Sequence, residues 1–471
     1  MFLNIRHRDK PIKGSIYLPG DKSIAQRAII LSAIAEPQRS PDNFGADGKS
    51  TIRNIPLSDD CRATINCIRQ LGIRIKLKGT TAIVYGKGLH GLQKPDKPLN
   101  VSESGTAARL LTGFLAGQSF PSVITGKKTL LTRPMERVIG PLRKMGARIE
   151  SKDGKLPLYI YPSHAKGGSA EGTGQQERTA SEKLNSIKYT MPVASAQVKS
   201  AILLAGLYAK GETVIYEPIP TRDHTERLLN LFTTKALRTQ RRKITLYLSG
   251  KSLKPVNIEI PGDFSSAAYF IAAGLLIPHS KIIIKNVGLN PYRIGLLSIL
   301  KRMGANLSRI THHASRIPNT EPIGDISVSY SNLRGIKISG NIIPSMIDEI
   351  PILALIATQA KGITVINGAG ELRVKESDRL KAIVQELSKL GADIKETPAR
   401  PGVRSGGNDG LIIKGPTKLF GGTCSSHNDH RIAMMSAIAG LIAEGKTKIG
   451  DVAVINKSFP SFYTFLRYRK I

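Results

Sequence analysis

A short stretch near the start of the chain, residues 18–35, brings together three side chains that bind anions. Lys22 and Ser23 fall in the first turn of a predicted helix, which Asp21 is expected to cap after a turn. Ser23 and Arg27 are four residues apart and therefore share one face of that helix. Because a helix N-terminus favours anions, these donors predict a phosphate or carboxylate site. A solvated basic helix start explains the same residues equally well.

Charged and polar groups recur at other predicted helix starts. Singly, each has a structural interpretation: Asp348 could cap a helix, residues 375–379 could form a solvated ion-pair face, and His430 could be a satisfied structural histidine. Their recurrence favours a site where cations meet at least two carboxylates, which would suit two anionic substrates and acid–base chemistry. The clusters are Ser104-Gly105-Thr106 with Arg109, Arg133-Pro134-Met135 with Pro134 at the first helical position, Ser195-Ala196-Gln197-Val198-Lys199, Thr221-Arg222-Asp223-His224, Ile347-Asp348-Glu349, Glu371–Arg379, Asn428-Asp429-His430-Arg431 and Lys457-Ser458-Phe459-Pro460.

The composition indicates a globular protein of two large or about three ordinary domains, since the chain has 471 residues, 41% of them hydrophobic. The longest apolar run, Ala267–Ile277, has the length of a core helix rather than of a membrane span. A strand-like pattern begins at once, so no signal peptide is expected. The three cysteines form no C-x-x-C pair, which argues against a disulfide scaffold or zinc site and favours the reducing cytoplasm.

The net charge of +34, from 69 basic and 35 acidic side chains, is extreme. It would suit a nucleic-acid-binding protein, but the charge is spread along the chain, with no basic arm and no RNA-binding aromatic motif. A lysine-rich background explains diffuse charge equally well, and an enzyme that captures anionic substrates would need far less. The charge therefore leaves an enzyme and a nucleic-acid-binding protein as competing classes.

A helix-ending glycine between apolar or small residues recurs and indicates an internal repeat. The intervals between successive copies are 74, 158 and 87 residues, so a weakened copy is expected near residues 231–237. The pattern predicts units of roughly 75–90 residues that mix strands and helices, with a sixth unit closed by the chain ends. The recurring glycines are Gly72, Gly146, Gly304 and Gly391.

Three apolar stretches predict buried helices, and three polar stretches rich in small residues predict surface loops, the second of which is expected to be disordered. The predicted helices are Ala267–Ile277, Ile350–Thr358 and Arg431–Ala443. The predicted loops are Glu36–Gly48, Ala165–Lys183 and Pro401–Gly410.

Ten motifs occur in one order between about residue 10 and residue 465, and together they carry a family resemblance. They are P-G-D-K-S-I-x-x-R-A, S-G-T-x-x-R-L-L, L-x-x-R-P-M, V-A-S-A-Q-V-K-S-A, T-R-D-H-T-E-R, P-G-D-x-S-S-A-A, I-D-E-I-P, E-L-R-V-K-E-S-D-R, D-H-R-I-A-M and K-S-F-P. In these motifs the chain resembles the 5-enolpyruvylshikimate-3-phosphate synthase family of enolpyruvyl transferases. The sister transferase that acts on UDP-N-acetylglucosamine lacks several of them, and its usual acid, a loop cysteine, has no counterpart identified here.

The resemblance implies an α/β fold of two domains, an inside-out barrel of six β-α-β-α-β-β units, three per domain, with the active site in the interdomain cleft. The implied domains are residues 1–20 with 262–471, and residues 21–261, with crossovers near 20–21 and 258–262. The implied reaction moves the enolpyruvyl group of phosphoenolpyruvate onto the 5-hydroxyl of shikimate 3-phosphate and releases phosphate, in the shikimate pathway of aromatic amino acid biosynthesis. The resemblance implies no metal or organic cofactor. We expect a cytoplasmic monomer that binds no membrane and no specific nucleic acid.

The resemblance also implies roles for single residues. Asp348 matches the base that takes the proton of the attacking hydroxyl, and Glu376 matches the acid that protonates the methylene carbon of phosphoenolpyruvate. Lys22 matches a catalytic lysine that touches both substrates. The other matched positions bind substrate: Ser23 and Arg27 for the anions, Gly105 and Arg133 for phosphoenolpyruvate, Ser195, Ala196, Gln197 and Thr221 for shikimate 3-phosphate, Lys375 beside Glu376, and Arg379, Arg431 and Lys457 for the carboxylate and phosphate.

The sequence departs from the family pattern at a few positions. Ser102-Glu103 stands where the best-known members have Gly-Asn, and a carboxylate there would repel phosphoenolpyruvate unless it points away or is paired. Ala25 and Gln26 replace the usual Ser and His or Asn, and Lys235-Ala236-Leu237 replaces a helix-ending glycine. Because of these departures, the chain could be a folded copy of the enzyme with reduced activity. They also leave its response to glyphosate undetermined.

Overall fold

The structure is a computed structural model, and it describes residues 2–37, 48–163, 184–233, 237–240, 242–247, 252–311, 320–397 and 409–467. The three predicted surface loops therefore lie wholly or largely outside the described residues, as does the predicted disorder of residues 165–183. Lys235 and Ala236, at the weakened copy of the repeat, also lie outside them.

Helices and strands alternate along most of the described chain. The helices are α1 Lys22–Ala33, α2 Asp59–Gln70, α3 Gly105–Leu115, α4 Glu136–Lys144, α5 Ala196–Gly206, α6 His224–Phe232, α7 Phe264–Leu276, α8 Gly295–Arg302, α9 Ile350–Thr358, α10 Arg379–Lys389, α11 His430–Ile442 and α12 Phe462–Arg467. The strands are β1 Leu3–Arg6, β2 Lys13–Tyr17, β3 Lys49–Arg53, β4 Arg74–Lys78, β5 Thr81–Tyr85, β6 Leu99–Asn100, β7 Ser122–Thr125, β8 Arg148–Ser151, β9 Leu158–Tyr161, β10 Lys188–Thr190, β11 Thr213–Tyr216, β12 Leu237–Gln240, β13 Lys243–Leu246, β14 Asn257–Glu259, β15 Lys281–Gly288, β16 Leu307–Thr311, β17 Ile323–Ser329, β18 Lys337–Ile338, β19 Gly362–Ile366, β20 Asp393–Thr397, β21 Gly410–Gly415, β22 Thr423–Ser425 and β23 Lys446–Gly450.

Three of the described sheets repeat one strand order: first, second, fourth and third strand of a unit. They are β6-β7-β9-β8, β10-β11-β13-β12 and β18-β19-β21-β20. In each, the first two strands run parallel and the other pairs run antiparallel. A parallel pair needs a crossover connection, and the first helix of each unit supplies it. The predicted α/β fold of repeated β-α-β-α-β-β units is confirmed.

Two further sheets keep this order, but their first strands are exchanged. β2 precedes α1 yet pairs in parallel with β15, and β14 precedes α7 yet pairs in parallel with β3. The segments that follow these two strands, Pro19-Gly20-Asp21 and Pro261-Gly262-Asp263, are hydrogen-bonded to each other. The Asp21 N–H donates to Pro261 O at 2.8 Å, and the Asp263 N–H donates to Pro19 O at 3.0 Å. Strands β2 and β14 are therefore exchanged at the point where the two Pro-Gly-Asp segments run side by side.

The sixth sheet joins the two ends of the described chain. β1 pairs antiparallel with β23, with Leu3 opposite Ile449 and Arg6 opposite Lys446, and β23 pairs in parallel with β22. Within the described residues this sheet has three strands. The predicted closure of a sixth unit by the chain ends is confirmed.

The predicted helix ends agree with the structure, whereas one predicted helix start does not. Gly72, Gly146, Gly304 and Gly391 have φ values of +84°, +90°, +92° and +94°, which glycine adopts without a Cβ clash. The prediction of a proline at the first position of α4 is wrong, because α4 begins at Glu136. Met135 stands at the N-cap position with a φ of −111°, and its N–H donates to Gly154 O at 2.7 Å.

The chain divides into two compact units: Met1–Lys22, Pro56–Ser58 and Ile260–Ile471 form the first, and Ser23–Ile55 and Asp59–Glu259 form the second. The first unit buries α7, α9 and α11, so the three predicted core helices are confirmed. The second unit buries most of α1, α3 and α5. None of the described helices has the length and apolar composition that a membrane span requires.

Candidate active site

In the first unit, one buried guanidinium at the start of α10 contacts three carboxylates. Arg379 is 1% exposed; its Nη1 lies 3.2 Å from Asp348 Oδ1, and its Nη2 lies 2.5 Å from Glu376 Oε2. Its Nε lies 2.7 Å from Asp429 Oδ2. Burial alone would lower the pKa of Arg379, but the carboxylates raise that pKa above its ordinary value. Because Arg379 is buried, the alternative of a solvated ion-pair face is wrong for this residue, whereas residues 375–378 are partly exposed.

Two short 3-10 segments position the candidate catalytic carboxylates. Asp348 belongs to the turn Ile347–Glu349, directly ahead of the buried apolar helix α9, as the sequence predicts. Glu376 follows the 3-10 helix Gly370–Val374 and precedes Asp378, whose side chain caps α10. The side chains of Asp348 and Glu376 are 18% and 21% exposed, so a ligand can reach both carboxylates.

The start of α11 places a second guanidinium beside Asp348. Asp429 caps α11 by accepting the Arg431 N–H at 2.9 Å. The Arg431 side chain is buried, with Nε 3.6 Å from Asp348 Oδ1 and Nη1 3.9 Å from Glu349 Oε1. Burial would lower the pKa of Arg431, but Asp348 and other neighbours raise it. Asp348 therefore lies against two buried guanidinium groups.

His430 is a candidate site residue whose importance the sequence analysis missed. Neither ring nitrogen has a hydrogen-bond partner within the described residues, although the side chain is 3% exposed. Burial, together with the positive charges of Lys22 and Arg431, holds the pKa of His430 well below its ordinary value, so the imidazole is neutral at pH 7. It is therefore not a satisfied structural histidine, and its place directly after the capping Asp429 was the available signal.

Three predicted lysines of the first unit lie at less buried positions. Lys22 is the first residue of α1 and is partly exposed. Lys375 directly follows Val374, has an extended backbone and is partly exposed. Lys457 ends a 3-10 helix, and its Nζ donates to Asn428 O at 3.2 Å, which joins it to the loop ahead of α11.

A further buried guanidinium ties the Pro-Gly-Asp segments to the start of α9. Arg293 Nη1 lies 3.0 Å from Glu349 Oε1, and its Nη2 lies 3.4 Å from Asp263 Oδ1. Its Nε lies 3.9 Å from Asp21 Oδ2. Burial and the nearby Asp21 raise the pKa of Asp263 to about 6, although Arg293 opposes the rise.

In the second unit, the predicted anion-binding Arg27 is buried inside α1. Its Nε donates to Thr225 Oγ1 at 2.8 Å, and its Nη2 donates to Ser200 Oγ at 2.9 Å. Its Nη1 donates to the backbone O of Ser23 at 2.8 Å. Because Arg27 is 3% exposed, the alternative of a solvated basic helix start is wrong for this residue.

The start of α3 brings Gly105 and Arg133 together. Ser104 caps this helix by accepting the Ala107 N–H at 3.2 Å. A Cβ on Gly105 would lie 2.7 Å from Arg133 Nη1 and 2.8 Å from Arg109 Nη1, so the two guanidinium groups leave no room for a side chain. A helix N-terminus with two guanidinium groups beside it suits an anion.

The start of α5 lies beside the start of α3. Ser195 caps α5, and Ala196 is its first residue. Gln197 Nε2 donates to Thr106 Oγ1 at 2.9 Å. Since Thr106 directly follows Gly105, this hydrogen bond brings the two predicted sets of substrate contacts together within one unit.

Thr221 is buried, and its hydroxyl donates to Glu217. Glu217 and Glu226 flank Lys199, whose Nζ lies 3.0 Å from Glu217 Oε2 and 2.7 Å from Glu226 Oε1. Burial would lower the pKa of Lys199, but the two carboxylates raise it; burial also raises the pKa of Glu226. Lys199 and Glu226 stand inside motifs of the sequence, yet the sequence analysis assigned them no role.

Two of the residues at which this chain departs from the family pattern, Gln26 and Glu103, form hydrogen bonds in the second unit. Gln26 Nε2 donates to Ser104 Oγ at 3.0 Å and to Thr64 Oγ1 at 2.9 Å, which ties α1 to α2 and to the cap of α3. Glu103 Oε1 accepts from the Thr129 hydroxyl at 3.4 Å. The replacement at position 26 therefore has a structural role inside this unit.

No group of three or more His, Cys, Asp or Glu side chains in the described part of the chain is arranged to hold a metal ion. Cys61, Cys67 and Cys424 are free and buried. Burial raises the pKa of Cys67 and of Cys424 to about 12, so neither forms the reactive thiolate at neutral pH.

Known protein families and proteins are similar to this chain over nearly its full length. The family model described as EPSP synthase (3-phosphoshikimate 1-carboxyvinyltransferase) matches residues 7–466. A 3-phosphoshikimate 1-carboxyvinyltransferase from Brevibacillus brevis is 46% identical over 460 residues, which are 97% of this chain and 97% of that protein. One from Bacillus pumilus is 43% identical and covers 98% of each chain.

Solved structures are similar over the same length. An EPSP synthase from Acinetobacter baumannii is 39% identical, with a TM-score of 0.79 over 98% of this chain and 96% of that one. The enolpyruvyl transferase NikO from Streptomyces tendae, 15% identical with a TM-score of 0.73 over 98% of this chain and 96% of that one, shows likeness of fold alone. Because the family model and relatives 43–46% identical span nearly the whole chain, the chain belongs to the EPSP synthase (3-phosphoshikimate 1-carboxyvinyltransferase) family.

Proposed function

We propose that this protein transfers the enolpyruvyl group of phosphoenolpyruvate to the 5-hydroxyl of shikimate 3-phosphate and releases phosphate. The reaction belongs to the shikimate pathway of aromatic amino acid biosynthesis. The observation that carries the proposal is the contact of Asp348 and Glu376 with the two terminal nitrogens, Nη1 and Nη2, of one buried guanidinium, that of Arg379. A nucleic-acid-binding function rests on net charge alone.

The two carboxylates divide the proton transfers between them. Glu376 delivers a proton to the methylene carbon of phosphoenolpyruvate, so that C2 becomes cationic and open to attack. Asp348 takes the proton of the attacking 5-hydroxyl, and the C–O bond to C2 forms. The adduct then returns a proton from its new methyl group to Glu376, which restores the double bond, and phosphate leaves with the proton that Asp348 had taken. Lys22, which touches both substrates in this proposal, stabilises the negative charge that shifts between them.

The remaining residues hold the two anions in place against their mutual repulsion. In the second unit, Arg27 and Ser23 lie on α1, and Gly105 lies beneath Arg133 at the start of α3. The other proposed contacts are Ser195, Ala196, Gln197 and Thr221 of the second unit, which form the shikimate 3-phosphate subsite, and Lys375, Arg379, Arg431 and Lys457 of the first unit.

We propose that the two domains are residues 1–20 with 262–471 and residues 21–261, with the crossovers at the Pro-Gly-Asp segments. The exchange of β2 and β14 supports this assignment. The protein is proposed to act as a monomer in the cytoplasm, without a metal or organic cofactor. Its free, buried cysteines suit a reducing compartment.

The test is phosphate release from phosphoenolpyruvate, measured with and without shikimate 3-phosphate, in the wild type and in Glu376→Gln. Release should require shikimate 3-phosphate, and the variant should lose roughly 100-fold or more in kcat, the usual contribution of a general acid. The matched control is Glu396→Gln, which removes another carboxylate of the first unit, one paired with Arg373 at 2.7 Å, and should keep its kcat.

Release without shikimate 3-phosphate, or full activity in Glu376→Gln, would contradict the proposal. If the wild type is well folded but inactive, the cause to test is the carboxylate of Glu103, which would repel phosphoenolpyruvate. Glu103→Asn, which restores the residue of the best-known family members, should then recover activity.

A further inference from the structure

Helices α5 and α6 are joined by two polar contacts between neighbouring positions. Ser200 Oγ lies 2.7 Å from Thr225 Oγ1, and Lys199 Nζ lies 2.7 Å from Glu226 Oε1. All four residues are at most 3% exposed. These four side chains are called the α5–α6 joint below.

One half of the joint holds Arg27. The hydroxyls of Ser200 and Thr225 accept from Nη2 and Nε of this guanidinium at 2.9 and 2.8 Å. A shift of α5 against α6 would change the distance between these two acceptors and would therefore displace the guanidinium.

The other half of the joint holds Thr221. Lys199 Nζ lies 3.3 Å from the backbone O of Thr221 and 3.0 Å from Glu217 Oε2, and the Thr221 hydroxyl donates to Glu217. An ammonium has three donors, and Glu217, Glu226 and the Thr221 carbonyl take all three. Lys199 therefore has no donor left for a substrate and acts only through the residues it holds.

We propose that Lys199 is the positioning residue of the shikimate 3-phosphate subsite. The inference rests on the proposed function, because it takes from there the assignment of the subsite. The proposal is supported by the substrate-contact residues that the α5–α6 joint holds in place. Arg27 lies against one pair, Thr221 against the other, and Ser195, Ala196 and Gln197 occupy the N-terminal end of α5, one turn before Lys199.

Removing the ammonium would act on the subsite by electrostatic repulsion. Glu217 and Glu226 would face each other without the charge that holds them together, and buried unpaired carboxylates are unfavourable. The segment with Thr221 and the start of α6 would then move apart. Gly105 and Arg133 lie at the start of α3, which α5 meets through the hydrogen bond from Gln197 Nε2 to Thr106 Oγ1 at 2.9 Å rather than through Lys199. Phosphoenolpyruvate binding should therefore change less than shikimate 3-phosphate binding.

The experiment compares wild type, Lys199→Met, Glu226→Gln and a control, Lys285→Met. The control also removes a lysine from a buried carboxylate, that of Asp325 at 2.7 Å, but on β15 of the first unit. For each protein, KM for both substrates, kcat and melting temperature are measured, and shikimate 3-phosphate binding is followed directly by calorimetry.

Lys199→Met should raise KM and Kd for shikimate 3-phosphate at least tenfold while KM for phosphoenolpyruvate stays within about threefold. Glu226→Gln keeps Lys199, Glu217 and Thr221 together and should give a smaller rise, of about threefold. Lys285→Met should lower the melting temperature and leave both KM values unchanged. If Lys199→Met does not fold, Glu226→Gln carries the test: its KM for shikimate 3-phosphate should rise more than its KM for phosphoenolpyruvate, and equal changes in the two KM values would overturn the inference.

Wild-type affinity for shikimate 3-phosphate in folded Lys199→Met would overturn the inference. An equal rise in both KM values would also overturn it, because it would indicate general damage rather than one displaced subsite. A wild type that binds shikimate 3-phosphate but releases no phosphate would count against the proposed function alone. A wild type that binds no shikimate 3-phosphate would overturn both.

Discussion

Single buried arginines organise the candidate site. Arg379 contacts three carboxylates, and Arg293 contacts Glu349 and the two aspartates of the Pro-Gly-Asp segments. Removing one partner of such a group leaves buried charge unpaired, which commonly costs about 3–5 kcal/mol. Variants of these arginines should therefore lose stability as well as activity, whereas Glu376→Gln leaves Arg379 paired with Asp348 and Asp429.

The backbone of Ser102 is strained, and a substitution to glycine can relieve the strain. Its φ is +54°, a left-handed conformation that a residue with a Cβ adopts at a penalty. We expect Ser102→Gly to raise the free energy of unfolding by roughly 0.5–1 kcal/mol, since the relieved strain exceeds the added freedom of the unfolded chain. Urea denaturation followed by circular dichroism would measure it, because the chain has no tryptophan.

The matched control is Ser308→Gly, at an exposed position in strand β16. Glycine weakens a strand, so this variant should be less stable than the wild type by up to about 1 kcal/mol. Equal effects of the two substitutions would show that backbone strain at position 102 is not the cause.

At the scale of elements, the two Pro-Gly-Asp segments place like charges side by side. Asp263 caps α7 by accepting the Ser265 N–H at 2.8 Å, and its carboxylate lies near Asp21, Arg293 and Arg431. The capping hydrogen bond needs only an oxygen, which an amide also supplies. The negative charge on Asp263 is therefore separable from its role as a cap.

Asp263→Asn should stabilise the protein at neutral pH. The pKa of Asp263 is raised from 3.8 to about 6 in the folded protein, so folding favours the protonated form. That preference contributes stability at low pH and is lost as the pH rises through 6. The variant should exceed the wild type by on the order of 1–3 kcal/mol above pH 7 and match it below pH 4, as measured by urea denaturation.

Asp393→Asn, at an exposed position on β20, serves as the control and should leave the pH dependence of stability as in the wild type. If Asp263→Asn were less stable than the wild type at pH 7.5, the negative charge opposite Arg293 would outweigh the repulsion from Asp21. The explanation given for the raised pKa would then be wrong.

At the scale of the whole molecule, the first and last strands of the described chain share a sheet. β1 pairs with β23, and Ile5 packs against α11, where a Cβ on Gly440 would lie 3.0 Å from the Ile5 Cβ. Residues more than 400 positions apart must therefore meet before this sheet forms, which is a contact of high loop-closure cost.

Ile5→Ala should lower the free energy of unfolding by about 2–4 kcal/mol, since it removes buried methyl groups and leaves a cavity in the first unit. Asn4→Ala changes the neighbouring exposed position of the same strand and should change stability by less than about 0.5 kcal/mol. A similar loss in both variants, measured by urea denaturation, would indicate that strand pairing rather than packing of Ile5 dominates.

Local patterns carried much of the fold prediction. Glycines at helix ends, capping residues and apolar runs act over a few residues, so the repeat, the helix ends and the extent of α9 could be predicted from them. The predicted starts of α7 and α11, at Ala267 and Arg431, are three residues and one residue late. Asp263 and Asp429 cap these helices at their actual starts, a signal present in the sequence but given too little weight.

The sequence by itself determined the repeated α/β unit, the family and the residue types available for chemistry. Tertiary structure decided that Arg27, Arg379 and Lys199 are buried, that the ring nitrogens of His430 have no partner among the described residues, and that β2 and β14 are exchanged. Burial and pKa depend on groups tens to hundreds of positions away, such as Asp429 beside Arg379 or Ser200 beside Arg27. Such pairings are set by how whole elements pack, and no local pattern contains them.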